Sequence, residues 1–238
     1  MEEYLKLDVK QLIKEKKIVY IEPKRDHHFT VVWLHGYGDT HLGFYELFQD
    51  NINPFGENTK IVLPCAPLIK TKALPAFLMN SWFDIEHLQA QDLLQANDEN
   101  GIKSAAEFIS KIIQFEAQIL NNQYERIFLG GFSQGFILSL KVGLEFDHRL
   151  GGVLGFCGIN FNFNDKHRNR LPLFIGISKN DSVINFQLAS QSFEELESNR
   201  QDYNFCLFID QTSGHTISTQ GYKKLEEFYS SLQSRYVQ

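Results

Sequence analysis

The chain has 238 residues, 43% hydrophobic and 13% aromatic, which suits one domain with a large core. A net charge of −6 without a dense Lys/Arg patch argues against a nucleic-acid partner. No window approaches the roughly 18 apolar residues of a membrane span, the acidic start Met1-Glu2-Glu3-Tyr4 lacks a signal-peptide core, and no lipidation motif is present. A cytoplasmic protein with at most peripheral membrane contact is therefore expected.

Leu5, Val9, Leu12 and Ile13 recur at helical spacing and predict a short amphipathic helix within residues 1–16, an N-terminal extension. Lys14-Glu15-Lys16-Lys17 is its solvated end. Lys17 to Ile21 predicts an edge strand closed by Glu22-Pro23. Thr30-Val31-Val32-Trp33-Leu34 predicts a buried strand that runs into the glycine-rich loop His35-Gly36-Tyr37-Gly38-Asp39-Thr40. A helix follows around Gly43 to Gln49, then a strand over Lys60 to Leu63 stopped by Pro64. The connection from Cys65 to about Asn97 is long and irregular, which inside a compact domain signals function more than linkage. Ile102, Ala105, Ala106, Ile109, Ile112 and Ile113 mark the longest amphipathic helix, ending near Asn121-Asn122.

Ile127-Phe128-Leu129 predicts a strand and Phe136 to Leu144 a helix that is apolar almost all round. Val153 to Phe156 is the next strand, followed by a polar loop over Asn160 to Arg170. Leu171 to Ile177 predicts a strand with Pro172 near its start. Phe186, Ala189, Phe193 and Leu196 form a helical stripe, Phe205 to Ile209 the last strand, and Leu225, Phe228, Tyr229 and Leu232 the final helix. Apolar strands alternating with helices predict an α/β fold: one domain over 1–238, with a mostly parallel central sheet covered by helices on both faces.

Between the strand and helix flanking it, Gly131-Phe132-Ser133-Gln134-Gly135 fits G-x-S-x-G, the nucleophile elbow. The serine must sit on a tight strained turn, and side chains at either glycine would strike the neighbouring strand and helix. A serine hydroxyl needs a base to take its proton and an acid to orient that base. Sheets of this kind supply them in the chain order serine, acid, histidine, from loops after later strands. Asp181 follows the 174–177 strand and His215 follows the last strand, so Ser133, Asp181 and His215 are the candidate triad. A helix N-cap is the structural alternative for Asp181. Asp165 is the second candidate acid, and Asp210 is too close to His215 in sequence. Oxyanion donors are expected from the backbone N–H groups of Gln134 and Tyr37, the latter in the loop after the 31–34 strand. That loop is not a dinucleotide site, because Gly36-x-Gly38-x-x-His41 lacks the third glycine. Cys65, Cys157 and Cys206 read as reduced thiols, and the remaining histidines show no metal spacing, so neither metal nor cofactor is expected.

Leu34-His35-Gly36-Tyr37-Gly38-Asp39-Thr40, Leu63-Pro64-Cys65-Ala66-Pro67, Ser81-Trp82-Phe83-Asp84-Ile85, Gly101-Ile102-Lys103, Gly130-Gly131-Phe132-Ser133-Gln134-Gly135, Asp181 and Gly214-His215 run in order across roughly residues 30–235. Together they resemble the acyl-protein thioesterases, the phospholipase/carboxylesterase family of α/β-hydrolases. The resemblance implies a serine hydrolase that removes long acyl chains from S-acylated proteins, with Ser133, Asp181 and His215 as triad and Tyr37 and Gln134 as oxyanion donors. Lysophospholipids or short carboxylic esters are the alternative substrates; a non-catalytic acyl-binding protein is the alternative of another class. An acyl chain needs an apolar concavity near the serine, for which Phe77, Leu78, Met79 and Trp82 are candidates, with packing to the core as their alternative role. Phe136 stands where the family commonly has glycine, and a phenyl ring there is expected to narrow or redirect the acyl site. Tyr37 replaces the family's leucine, and the acid loop Ser178 to Asn185 keeps only its aspartate and a β-branched residue.

Overall fold

The computed structural model describes residues 7–50, 52–86, 98–167, 170–198 and 204–236. Leu5 and the 87–97 part of the long connection lie outside the described residues. In chain order the elements are α1 (Val9–Lys14), β1 (Ile18–Ile21), β2 (Phe29–Leu34), α2 (His41–Asp50), β3 (Thr59–Pro64), β4 (Leu68–Lys70) and β5 (Leu78–Asn80). Then come α3 (Glu99–Ile119), β6 (Ile127–Phe132), α4 (Gln134–Glu145), β7 (Gly152–Phe156), β8 (Leu173–Ser178), α5 (Phe186–Ser198), β9 (Phe205–Asp210) and α6 (Thr219–Gln233).

Seven strands form one sheet in the order β1-β3-β2-β6-β7-β8-β9, and only β1 runs antiparallel. Successive side chains of a strand leave on opposite faces, so each central strand feeds two cores. Val32, Leu34, Leu129, Val153 and Ile175 pack with Ile109, Ile113, Leu138 and Phe193 from α3, α4 and α5. Val31, Trp33, Phe128, Leu154 and Phe174 pack with Phe48, Leu225 and Tyr229 from α2 and α6. Strands buried on both faces are apolar over most of their length, which is why β2, β7 and β8 read as near-continuous apolar runs and β3 as one after Lys60. The registers Leu34↔Gly131, Phe132↔Phe156, Phe156↔Gly176 and Ser178↔Asp210 bring the carboxyl ends of β2, β6, β7, β8 and β9 into line. The loops that follow these strands therefore share one edge of the sheet.

The long connection is less irregular than its sequence suggests. Leu68–Lys70 and Leu78–Asn80 pair as a small antiparallel hairpin. Its three-residue strands are too short to carry a period-two pattern. Asp98 then caps α3: its Oδ1 accepts from the Gly101 N–H at 2.8 Å, while its Oδ2 accepts from the Asp84 N–H at 3.0 Å. One carboxylate thus starts the longest helix and ties down the Ser81–Ile85 segment. At the opposite end of the sheet, Lys60 of β3 and Glu116 of α3 form a buried ion pair at 2.9 and 3.0 Å, with the ammonium 3.9 Å above the ring of Tyr20. Among the described residues, no helix is long and apolar enough to cross a membrane.

Candidate active site

The elbow has the strain its spacing demands. Ser133 adopts φ 53°, ψ −121°, a region a non-glycine residue enters only when its surroundings force it. A Cβ on Gly131 would lie 2.6 Å from the Gly135 carbonyl carbon, and one on Gly135 would lie 2.3 Å from the Leu34 oxygen. Glycine is therefore required at both positions for α4 to seat on the end of β2. The Ser133 N–H donates to Phe156 O at 2.9 Å, and the Ser133 carbonyl accepts from the Phe136 and Ile137 N–H groups.

The three residues expected as a triad come together. His215 Nε2 lies 3.0 Å from Ser133 Oγ, and His215 Nδ1 lies 2.8 Å from Asp181 Oδ2. The ring of Phe132 packs 4.9 Å from the imidazole. Asp181 is not the helix cap weighed as its alternative role: α5 begins at Phe186, where the Asn185 side chain accepts from the Leu188 N–H, and Asp181 instead closes a turn in its own loop. Its Oδ1 accepts from the Val183 and Ile184 N–H groups, both at 2.8 Å, while Oδ2 faces the histidine. Burial pushes the Asp181 carboxyl up, but the hydrogen bonds from His215, Ile184 and Val183 outweigh it and hold the group below the usual carboxylate range. An ionised Asp181 can only accept, so Nδ1 carries the imidazole hydrogen and Nε2 presents its lone pair to Ser133.

The histidine loop is fixed by residues outside this group. Asp210 Oδ1 accepts from the Thr212 and Ser213 N–H groups at 2.9 and 2.8 Å. Ser178 Oγ donates to the Ser213 carbonyl, and Asn180 Nδ2 donates to the Gln211 and Thr212 carbonyls. The acid loop and the histidine loop are thereby laced together. Asp165 is engaged elsewhere, accepting from the His167 N–H.

On the other side of Ser133, a Cβ on Gly36 would stand 3.4 Å from Ser133 Cβ, so the 35–38 loop passes against the serine. Among the described residues, neither the Tyr37 nor the Gln134 backbone N–H has a hydrogen-bond partner. His35 holds this loop. Its Nδ1 donates to Gly36 O at 2.8 Å and its Nε2 accepts from the Ala66 N–H at 2.9 Å. That arrangement requires neutral imidazole, and burial lowers its pKa from 6.5 to about 4. The Gly38 N–H donates to Asn80 O at 2.8 Å and the Tyr37 hydroxyl meets Thr71 Oγ1 at 2.7 Å, which joins the loop to the hairpin.

The side chain of Gln134 is a further part that its motif does not reveal. It is buried. Its Oε1 accepts from the Trp82 N–H at 3.0 Å, and its Nε2 donates to Phe83 O and Ser81 Oγ, both at 2.9 Å. Trp82 Nε1 donates in turn to His35 O at 2.8 Å. The Ser-Trp-Phe segment is thus bolted to both the elbow and the 35–38 loop.

The expected acyl-lining residues divide. Phe77 and Leu78 are exposed at 62% and 58%, and Met79 is half-buried. Trp82 and Phe136 are fully buried and present no surface to a ligand. The Phe136 ring occupies space that Cβ atoms on Gly155 and Gly158 would fill, at 2.1 and 2.5 Å, and packs on Phe193. The expected narrowing of the acyl site by Phe136 is therefore not observed: two glycines make room for the ring inside the core. Clefts of about 940 Å³ between α3 and α4 and about 660 Å³ beside α2 contain none of Ser133, Asp181 and His215.

The family sequence model described as phospholipase/carboxylesterase matches residues 15–233. The chain belongs to the phospholipase/carboxylesterase family. It is a serine hydrolase. Among relatives of this family, acyl-protein thioesterase 1 of Cryptococcus neoformans is 31% identical over 213 residues, which span 86% of this chain and 82% of the relative. Acyl-protein thioesterase 1 of Schizosaccharomyces pombe is 29% identical over 224 residues, 90% of this chain and 95% of the relative. The crystal structure of Zea mays acyl-protein thioesterase 2 superposes with a TM-score of 0.73 at 20% identity, covering 90% and 98% of the two chains. These phospholipase/carboxylesterase neighbours confirm the expected α/β-hydrolase architecture.

Proposed function

We propose that this phospholipase/carboxylesterase family member hydrolyses acyl thioesters on S-acylated proteins, with Ser133 as nucleophile, His215 as base and Asp181 as the acid that orients it. The continuous chain of hydrogen bonds from Ser133 Oγ through His215 to Asp181 carries the proposal. The acyl-protein thioesterase names of relatives near 30% identity point to the thioester.

His215 Nε2 takes the Ser133 proton as Oγ attacks the acyl carbon. The N–H groups of Tyr37 and Gln134 receive the oxyanion. Collapse expels the thiolate, which takes the proton from His215, and leaves an acyl-enzyme. Water then attacks with His215 as base, and the fatty acid departs from regenerated Ser133. Asp181 stays ionised throughout and stabilises the imidazolium. Phe77, just before β5, and Leu78 and Met79 on β5 supply apolar surface for the acyl chain. The same parts would serve lysophospholipids, which differ in the leaving group, or short carboxylic esters, which differ in acyl length as well. In this reading residues 1–238 are one catalytic domain with an N-terminal addition over 1–16, working in the cytoplasm with at most peripheral membrane contact.

The test is thiol release from an S-palmitoylated peptide, with lysophosphatidylcholine and a short aryl ester in parallel. Ser133→Ala is expected to lose roughly a millionfold in turnover while keeping its circular dichroism. A Ser133→Ala protein that keeps most of its activity would sink the assignment. Hydrolysis of the aryl ester alone would move the substrate class to carboxylic esters.

A further inference from the structure

Cys157 lies on the loop after β7, between the elbow and the acid strand, and the reaction above gives it no part. It is 3% exposed and adopts φ 54°, a left-handed conformation in a non-glycine residue. Its N–H donates to Gly176 O at 2.8 Å, and its thiol reaches toward Thr216 O at 3.6 Å, the residue after the proposed base. The strain is thus held from β8 and from the histidine loop together. The consequence is a mixed donor set. Cys157 Sγ, a carboxylate oxygen of Asp181 and a ring nitrogen of His215 all lie within 4.8 Å of one another. Sulfur, imidazole and carboxylate are the ligands of tetrahedral zinc.

We propose that Cys157, Asp181 and His215 form an inhibitory site for a borderline-soft divalent cation of the zinc type. Ligands about 2.0–2.3 Å from such an ion stand about 3.3–3.6 Å apart. The 2.8 Å separation of His215 Nδ1 and Asp181 Oδ2 need open by only about half an ångström, and the thiol, within 4.8 Å of both, need close by at most about 1.5 Å. Charge also favours the ion. A bound dication deprotonates the coordinating thiol outright. Thiolate and carboxylate then balance the two positive charges in a wall that water barely enters.

The protons account for inhibition. The thiol proton leaves to solvent. The imidazole hydrogen moves from Nδ1, which now binds metal, to Nε2. Nε2 has then lost the lone pair that faces Ser133 Oγ at 3.0 Å. This inhibition rests on the reading of His215 as base; the binding does not. Entry is from the His215 side, where the side chain is 17% exposed against 3% for Asp181.

The experiment has two arms. Ser133→Ala protein is titrated with cobalt(II), a coloured stand-in for zinc, and ester hydrolysis by the otherwise unaltered enzyme is titrated with zinc. A sulfur-to-cobalt charge-transfer band is expected that zinc displaces. Cys157→Ser, which keeps the size but not the sulfur, abolishes the band; Cys206→Ala retains it. His215→Ala in the Ser133→Ala background weakens cobalt at least about tenfold. In the hydrolysis arm a chelator reverses inhibition, and Cys157→Ser raises the half-inhibiting zinc concentration at least about tenfold, each variant being scaled to its own metal-free rate. A band that survives Cys157→Ser or disappears with Cys206→Ala overturns the site, as does zinc sensitivity that Cys157→Ser leaves unchanged. If Ser133→Ala remained active, the serine mechanism would fall while the cobalt band still reported on the metal.

Discussion

Replacing Gln134 by methionine separates what its side chain does from what its backbone does. The two side chains have similar volume, so the exchange leaves no large cavity and chiefly deletes hydrogen bonds. The Trp82 N–H loses its sole partner among the described residues, the Oε1 at 3.0 Å. A buried donor left unpaired costs about 1–3 kcal/mol. The Phe83 carbonyl loses Nε2 but keeps the Ser81 hydroxyl at 2.6 Å, so its loss is at the low end of that range. The sum is roughly 3 kcal/mol, a large fraction of the 5–15 kcal/mol by which such domains are stable. In urea unfolding the midpoint should fall with little change in slope. Activity should fall too, because the 81–83 segment also holds the 35–38 loop through Trp82 Nε1 and His35 O. Ala at position 134 should be worse than Met, since it adds a cavity. A Gln134→Met enzyme within about 1 kcal/mol of wild type, with full activity, would refute the account of this network.

His35 predicts a pH dependence. Its folded pKa of about 4 lies below the ordinary 6.5. Above pH 6.5 it is neutral folded and unfolded and nothing is lost; between 6.5 and about 4 only the unfolded chain takes the proton, so stability falls by roughly 3 kcal/mol. Urea midpoints across that window should therefore decline less steeply in His35→Gln, and equal slopes would remove His35 as the cause. Lys60→Met strands Glu116, whose pKa burial already raises against the pull of Lys60, and should cost about 3–5 kcal/mol, with Lys60→Met/Glu116→Leu recovering most of it. Denaturation showing the double variant no better than the single one would count against that reading. Phe77→Ser and Leu78→Ser should each lower the ratio of long-acyl to short-acyl turnover about tenfold, as loss of about 1.5 kcal/mol of apolar contact requires. An unchanged ratio in competition assays would place the acyl chain elsewhere.

Ser133, Asp181 and His215 were legible because backbone rules govern them. A strained serine needs glycines around it, and partners must follow later strands of a parallel sheet. The apolar runs of β2, β6, β7 and β8 were legible for a related reason, burial on both faces. Side-chain destinations obey no such rule. Phe136 and Trp82 point inward because of Gly155, Gly158 and His35, residues far from them in sequence. Asp181 was weighed as helix cap or acid; the cap falls to Asn185, while its two oxygens divide between the Val183 and Ile184 N–H groups and His215, a split that sequence distance to Ile184 alone does not suggest. The amide of Gln134 and the thiol of Cys157 act across the fold. Their sequence signals, a glutamine beside the serine and a cysteine closing a buried strand, acquire meaning only when the Ser81–Ile85 and Ser213–Thr216 segments arrive.

The order of parts along the chain also bears on synthesis. Ser133 and its partner histidine are 82 positions apart, and β9, which leads into His215, is the outermost strand of the sheet. In the proposed mechanism, a ribosome-bound chain that has emerged as far as α5 holds the nucleophile and the acid but no base. Such a chain would meet acylated substrates without attacking them and become reactive only when β9 docks on β8. Hydrolysis is therefore a reporter of completed assembly: during refolding it should appear after the fluorescence of Trp33 and Trp82 has reached its final value.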